Sequence, residues 1–120
     1  MEIAEKEKTN NTIDGISINY EEDGLLLVKE LKKVVLSKGA WATLMFLYQE
    51  YDRANQSYKP SKVSLRRYQK KEGNYIQRSK FNISSEKQAH MIAKRILDWY
   101  PEAPGSQAEP SSPDAAESEE

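Results

Sequence analysis

The chain has 120 residues, a formal net charge of -1, 31% charged residues, one histidine and no cysteine. The missing cysteines exclude disulfide scaffolds, thiolate metal sites and cysteine nucleophiles, and no apolar run approaches the ~18 residues of a membrane-spanning helix. The length suits one small domain, and a mean hydropathy of -0.84 is too low for every residue to pack, so part of the chain is expected to stay unfolded.

The small net charge conceals an uneven distribution. Residues 1–24 carry 2 Lys against 7 acids, net -5; residues 25–100 carry 16 Lys and Arg against 6 acids, net +10; residues 101–120 carry 6 acids and no base, net -6. The division expected is therefore an acidic, mostly disordered arm (1–24), a basic folded unit (25–100) and an acidic, Pro- and Ser-rich disordered tail (101–120). Residues 1–9 alternate Glu and Lys without an apolar signal-peptide core. With the absent cysteines, that makes an intracellular location, cytoplasm or nucleoid, the expectation.

In chain order, Ile13, Ile16, Ile18 and Tyr20 offer at most a short edge strand in the acidic arm. Residues 25–36 are rich in Leu and Val and read as a strand, although the Leu31, Val34 and Val35 spacing also fits a helix. Gly39 marks a turn. Residues 41–51, with Trp41, Phe46, Tyr48 and Tyr51, read as a long strand whose aromatics serve a core or a dimer interface. A polar loop, 52–61, leads to a strand at 62–70, a tight turn at Lys71, Glu72 and Gly73, and a returning strand at 74–83. Residues 84–100 read as a helix opened by a Ser85/Gln88 capping box and closed by Pro101. Its apolar face is Ala89, Ile92, Ala93, Ile96, Trp99 and Tyr100. Strands followed by one helix make an α+β fold, with the helix laid on one face of an antiparallel sheet.

Strand alternation places Val63 and Leu65 on one face of the hairpin and Lys62, Ser64, Arg66, Tyr68 and Lys70 on the other. In the returning strand it groups Tyr75, Phe81 and Ile83 against Ile76, Arg78, Lys80 and Asn82. An open face would then present Lys62, Arg66, Lys70, Arg78 and Lys80 around Tyr68. Such a row of like charges fits a phosphate backbone. Tyr68 and Trp41 are candidate stacking platforms, which favour unpaired bases; cross-strand packing for Tyr68 and core anchoring for Trp41 are the alternatives.

Three stretches sharpen this reading: Ser37-Lys38-Gly39-Ala40-Trp41, Val63-Ser64-Leu65-Arg66-Arg67-Tyr68, and Lys80-Phe81-Asn82-Ile83-Ser84-Ser85-Glu86. Through them residues 25–100 resemble the transcriptional positive cofactor four family and its bacterial relatives. The resemblance implies a dimer in which each subunit has a four-stranded curved antiparallel sheet and a C-terminal helix, and binds single-stranded DNA. It implies a DNA-contacting arginine at Arg66, a stacking aromatic at Tyr68 and basic support from Arg78 and Lys80, with Lys38 and Trp41 in the shared turn. Arg67 and Lys80 stand where the family has an acid and a glycine.

The expectation is thus a sequence-tolerant protein binding single-stranded DNA, or RNA, in transcription, replication or repair. The alternative is an adaptor whose basic face binds an acidic protein. His90 lacks a catalytic partner, no metal-ligand set or Gly-rich phosphate loop is present, and so no enzyme, cofactor, membrane or small-molecule substrate is expected. The acidic tail would compete with nucleic acid for the basic unit. Removing residues 101–120 is expected to tighten oligonucleotide binding at low salt, measured by fluorescence anisotropy; unchanged affinity would remove the competition.

Overall fold

Alternation along one strand decides where the core lies. In β3, Trp41–Asp52, the residues Ala42, Leu44, Phe46 and Tyr48 are buried, while the intervening side chains are only partly covered. The computed structural model describes residues 11–102, and the expectations for residues 1–10 and 103–120 lie outside the described residues. Around β3 stand β1 (Tyr20–Glu22), β2 (Leu25–Ser37), β4 (Ser57–Tyr58), β5 (Lys62–Lys71), β6 (Asn74–Ile83) and helix α1 (Glu86–Trp99). The sheet is antiparallel, in the order β1-β2-β3-β5-β6, with β4 paired to β3. The fold is α+β: a sheet curled into a half-barrel, followed by one helix. It has six strands rather than the four expected. The two extra ones are short: β4 falls inside the loop at 52–61 and β1 inside the acidic arm.

The expected boundary at residues 24/25 cuts through a hairpin. Asp23 and Gly24 both adopt positive φ (49° and 81°) between Glu22 and its partner Leu25. That is the geometry of a two-residue type I′ turn, for which Asp-Gly is a preferred pair. Glu72 and Gly73 (53° and 82°) make the same turn between β5 and β6.

Residues ahead of β1 also belong to the folded unit. A 3-10 turn, Ile13–Gly15, and the extended residues after it form a strap across the inner face of the sheet. Ile16 and Ile18 are only 2% and 7% exposed and join Ala42, Leu44, Phe46, Tyr48, Tyr68 and Tyr75 in the core. Two β2 side chains clamp the strap. Lys33 Nζ donates to the carbonyls of Ile13 (2.8 Å), Asp14 (3.2 Å) and Ile16 (2.7 Å). Glu30 Oε1 accepts from Ser17 Oγ (3.0 Å) and Ile18 N–H (3.1 Å).

Register shifts at Leu31 and Leu36 bend β2. Each inserts one residue and turns the side chains beyond it to the other face. This is why residues 25–36 show neither clean alternation nor a clean helical stripe.

Helix α1 begins as its sequence dictates. Ser85 Oγ accepts from Gln88 N–H (3.1 Å), and Gln88 Oε1 accepts from Ser84 N–H (2.9 Å). It does not lie flat on the sheet as expected. Its first turns border Leu47 and Val63 through Ala89 and His90, and none of its residues is buried. Trp99 is 71% exposed, and Met91, Ile96, Leu97 and Tyr100 are exposed with it. Among the described residues no helix is long and apolar enough to cross a membrane.

The strap's contribution is measurable. Ile16→Ala is expected to lower the unfolding free energy by about 2–5 kcal/mol, the usual cost of truncating a buried isoleucine, read by urea denaturation. A loss below about 0.5 kcal/mol, the range of surface substitutions, would show a strap that is not part of the core.

Candidate nucleic-acid interface

The cross-strand register sorts the candidate residues. On β5, Lys62, Ser64, Arg66 and Tyr68 stand opposite Tyr48, Phe46, Leu44 and Ala42 of β3, so they share the inner face; Lys70, two residues beyond Tyr68, continues the row. On β6, Asn82 and Lys80 stand opposite Ser64 and Arg66 on that same face, and Tyr75 stands opposite Lys70. The strap packs into this same face, where Ile16 and Ile18 share a core with Tyr68 of β5 and Tyr75 of β6. Lys62, Arg66 and Lys70 recur every four residues, about 13 Å apart along the strand.

The sequence-based grouping of β6 is corrected. A register shift between Arg67 and Tyr68 inserts an extra residue in β6. Tyr75 thereby joins the Lys80 face, and Arg78 leaves it. Arg78 Nε donates to Gln69 Oε1 (3.0 Å), and Gln69 pairs with Trp41 on the outer face. Trp41 is half-buried there, with the Arg67 guanidinium 4.5 Å from its ring centroid. Lys38 lies exposed in the β2–β3 turn. Tyr75 Oη donates to Gly39 O (3.0 Å) and Lys70 N–H donates to Ala40 O (2.7 Å), which brings that turn against the end of the β5–β6 hairpin.

The stacking assignment of Tyr68 is also corrected. Its ring is 4% exposed and belongs to the core, so no base can lie on it in this arrangement. Burial pushes its hydroxyl pKa up, opposed by the charge and hydrogen bond of Arg66. Burial likewise raises Tyr48, with Glu50 adding to the shift and Lys62 and Arg66 opposing it. Two phenols thus stay neutral beside the inner-face cations.

Arg66 is the most constrained of those cations. Its Nε donates to Ser64 Oγ (3.0 Å), its Nη1 donates to Gln77 Oε1 (3.2 Å), and its guanidinium lies 5.9 Å from the Phe46 ring centroid. Lys62 pairs with Glu50 at 3.1 Å. Among the described residues no acid stands within ion-pair distance of Lys38, Arg66, Lys70, Arg78 or Lys80. Arg66 and Lys80 are direct cross-strand partners, and like charges so placed destabilise a sheet.

Of the eight candidates, Lys62, Arg66, Lys70 and Lys80 share one face with the buried Tyr68. Trp41 and Arg78 share the other, and Lys38 sits at the turn between the hairpin ends. Sequence reasoning missed Gln77 as a partner of Arg66 and Tyr75 as the ring beneath Lys70 Nζ (5.3 Å). The aromatic followed by alternating polar residues was visible, but the bulge that sets their face was not. Among the described residues no three His, Cys, Asp or Glu side chains gather as metal ligands. No protein-family model, curated protein or solved structure matches this chain.

Proposed function

We propose that the protein binds single-stranded nucleic acid, DNA in the first instance, without strong sequence preference, and that it does so as a homodimer. The observation that carries this reading is the Arg66–Lys80 cross-strand pair, flanked by Lys70 and Lys62 with no acid opposite Arg66, Lys70 or Lys80. Such a row is strained by its own repulsion and is relieved by a polyanion, with release of condensed counterions. The row lies inside a curled sheet beside the strap. A flexible single strand follows that path. A stiff duplex meets neither a helix nor a ribbon that enters its groove. The likeness of three sequence stretches to the positive cofactor four family supports the same assignment and a role in transcription, replication or repair.

The dimer rests on unpartnered apolar surface. The outer sheet face exposes Val34 and Phe81 (52%), with Met45 and Leu65 half-covered between them. Helix α1 exposes a groove lined by Met91, Ile92, Ile96 and Trp99. Exposed apolar patches of this kind mark interaction surfaces. A 14-residue helix is about 21 Å long, close to the width of the four long strands at about 4.8 Å spacing. A two-fold exchange, each helix on the other subunit's outer face, covers both surfaces at once. The inner-face cations stay free in that arrangement.

Fluorescent oligo-dT is expected to bind more tightly than the matched duplex. With four inner-face cations engaged, log K should fall against log salt with a slope of about -2.8. Arg66→Ala should weaken binding by about tenfold or more and flatten the slope by about 0.7. Equal affinity for both oligonucleotides, or none for either with the fold intact, would turn the reading toward an acidic protein partner.

Light scattering should give twice the chain mass. Trp99→Glu and Phe81→Glu should each return the monomer. A wild-type monomer at tens of micromolar would overturn the dimer.

A further inference from the structure

The polar side chains behind Arg66 form a chain with a defined direction. Arg66 Nε–H donates to Ser64 Oγ at 3.0 Å, and Ser64 Oγ–H donates to Asn82 Oδ1 at 2.6 Å. Ser64 is fully buried, an unusual place for a hydroxyl on a strand otherwise rich in surface cations. Because its single proton is committed to Asn82, its lone pair is turned to Arg66, and bonds polarised in series strengthen one another. Gln77 holds the guanidinium from the far side through Nη1, at 3.2 Å. The Phe46 ring lies beneath it, its centroid 5.9 Å from the guanidinium carbon.

A guanidinium has five N–H groups. Two are engaged, by Ser64 and Gln77, which leaves three. We infer that Ser64 and Gln77 are positioning residues that, with Asn82 behind Ser64, hold the Arg66 guanidinium as a rigid fork for one phosphate of the bound strand. This deepens the nucleic-acid reading above and rests on it. An arginine already fixed in place loses little rotamer freedom on binding, and a planar fork matches two phosphate oxygens as an ammonium cannot. Lys70 and Lys80, exposed and without side-chain hydrogen-bond partners among the described residues, act instead as loose point charges along the same path. The inner face thus combines one geometric contact with several electrostatic ones.

The test uses two readouts on the full chain. Without nucleic acid, the Arg66 Nε–H is expected to give a slowly exchanging NMR signal that Ser64→Ala abolishes. Exchange in the wild type as fast as at the exposed Arg53 would overturn the clasp. With oligo-dT, Ser64→Ala and Gln77→Ala should each weaken binding by about threefold to tenfold, the worth of one hydrogen bond, at an unchanged salt slope. In an Arg66→Ala background the same substitutions should cost nothing further. A penalty that persists undiminished in that background would show a purely structural role and overturn the inference. Arg66→Lys should bind more weakly than wild type while keeping the full salt slope; wild-type affinity would also overturn it. If wild type binds no oligonucleotide, the function proposed above falls. The clasp is then judged by the Nε–H signal and by its shift on adding inorganic phosphate, and no shift overturns it.

Discussion

The packing of Ile16 and Ile18 onto the alternate residues of β3 is the constraint on which the rest of the structure depends. A curled sheet has an inner face that encloses volume, and that volume must be filled with apolar side chains at the density of a protein interior. Ala42, Leu44, Phe46 and Tyr48 fill it from the sheet side. No helix is available to close it from above, because α1 stands away from the inner face. The strap closes it instead, and Lys33 and Glu30 bond its backbone groups.

This solution determines where charge can go. Lys33 points inward, where the strap carbonyls take up its ammonium. The remaining inner-face cations come from β5 and β6. They stand over a floor that is already core, so Tyr68 and Tyr75 support them from beneath rather than offering rings to bases. Acids gather at the opposite end of the strands: Glu21, Glu22 and Asp23 around the first hairpin turn, Glu50 and Asp52 at the end of β3. Lys38, Lys70, Lys71 and Glu72 stand at the other end, and Lys29, Arg53, Lys59 and Lys62 mix with the acids at the first.

The helix obeys a different logic. A 14-residue helix with good capping is still marginal in water without packing, and the apolar stripe of α1 is mostly open. The sheet of the same chain leaves that stripe uncovered. The same holds for the outer sheet face, where Val34 and Phe81 project into solvent.

Much of the fold was legible in the sequence. The strands at 41–51, 62–70 and 74–83 and the helix at 84–100 match β3, β5, β6 and α1 to within a residue or two, because alternation, turn glycines and a capping box act over a few residues at a time. The strap and β1 were less legible. Three isoleucines among acids resemble a loose arm until the sheet that buries them exists, even though Asp23-Gly24 marked a hairpin turn. The face of Arg78 and the burial of Tyr68 were decided only in three dimensions. One inserted residue in β6 reverses side-chain direction, and the curl of the sheet determines which face becomes interior. The chain alone determined which residues alternate and which carry charge; the tertiary structure decided which of those alternating rows meets water, because burial depends on what the far end of the chain folds over.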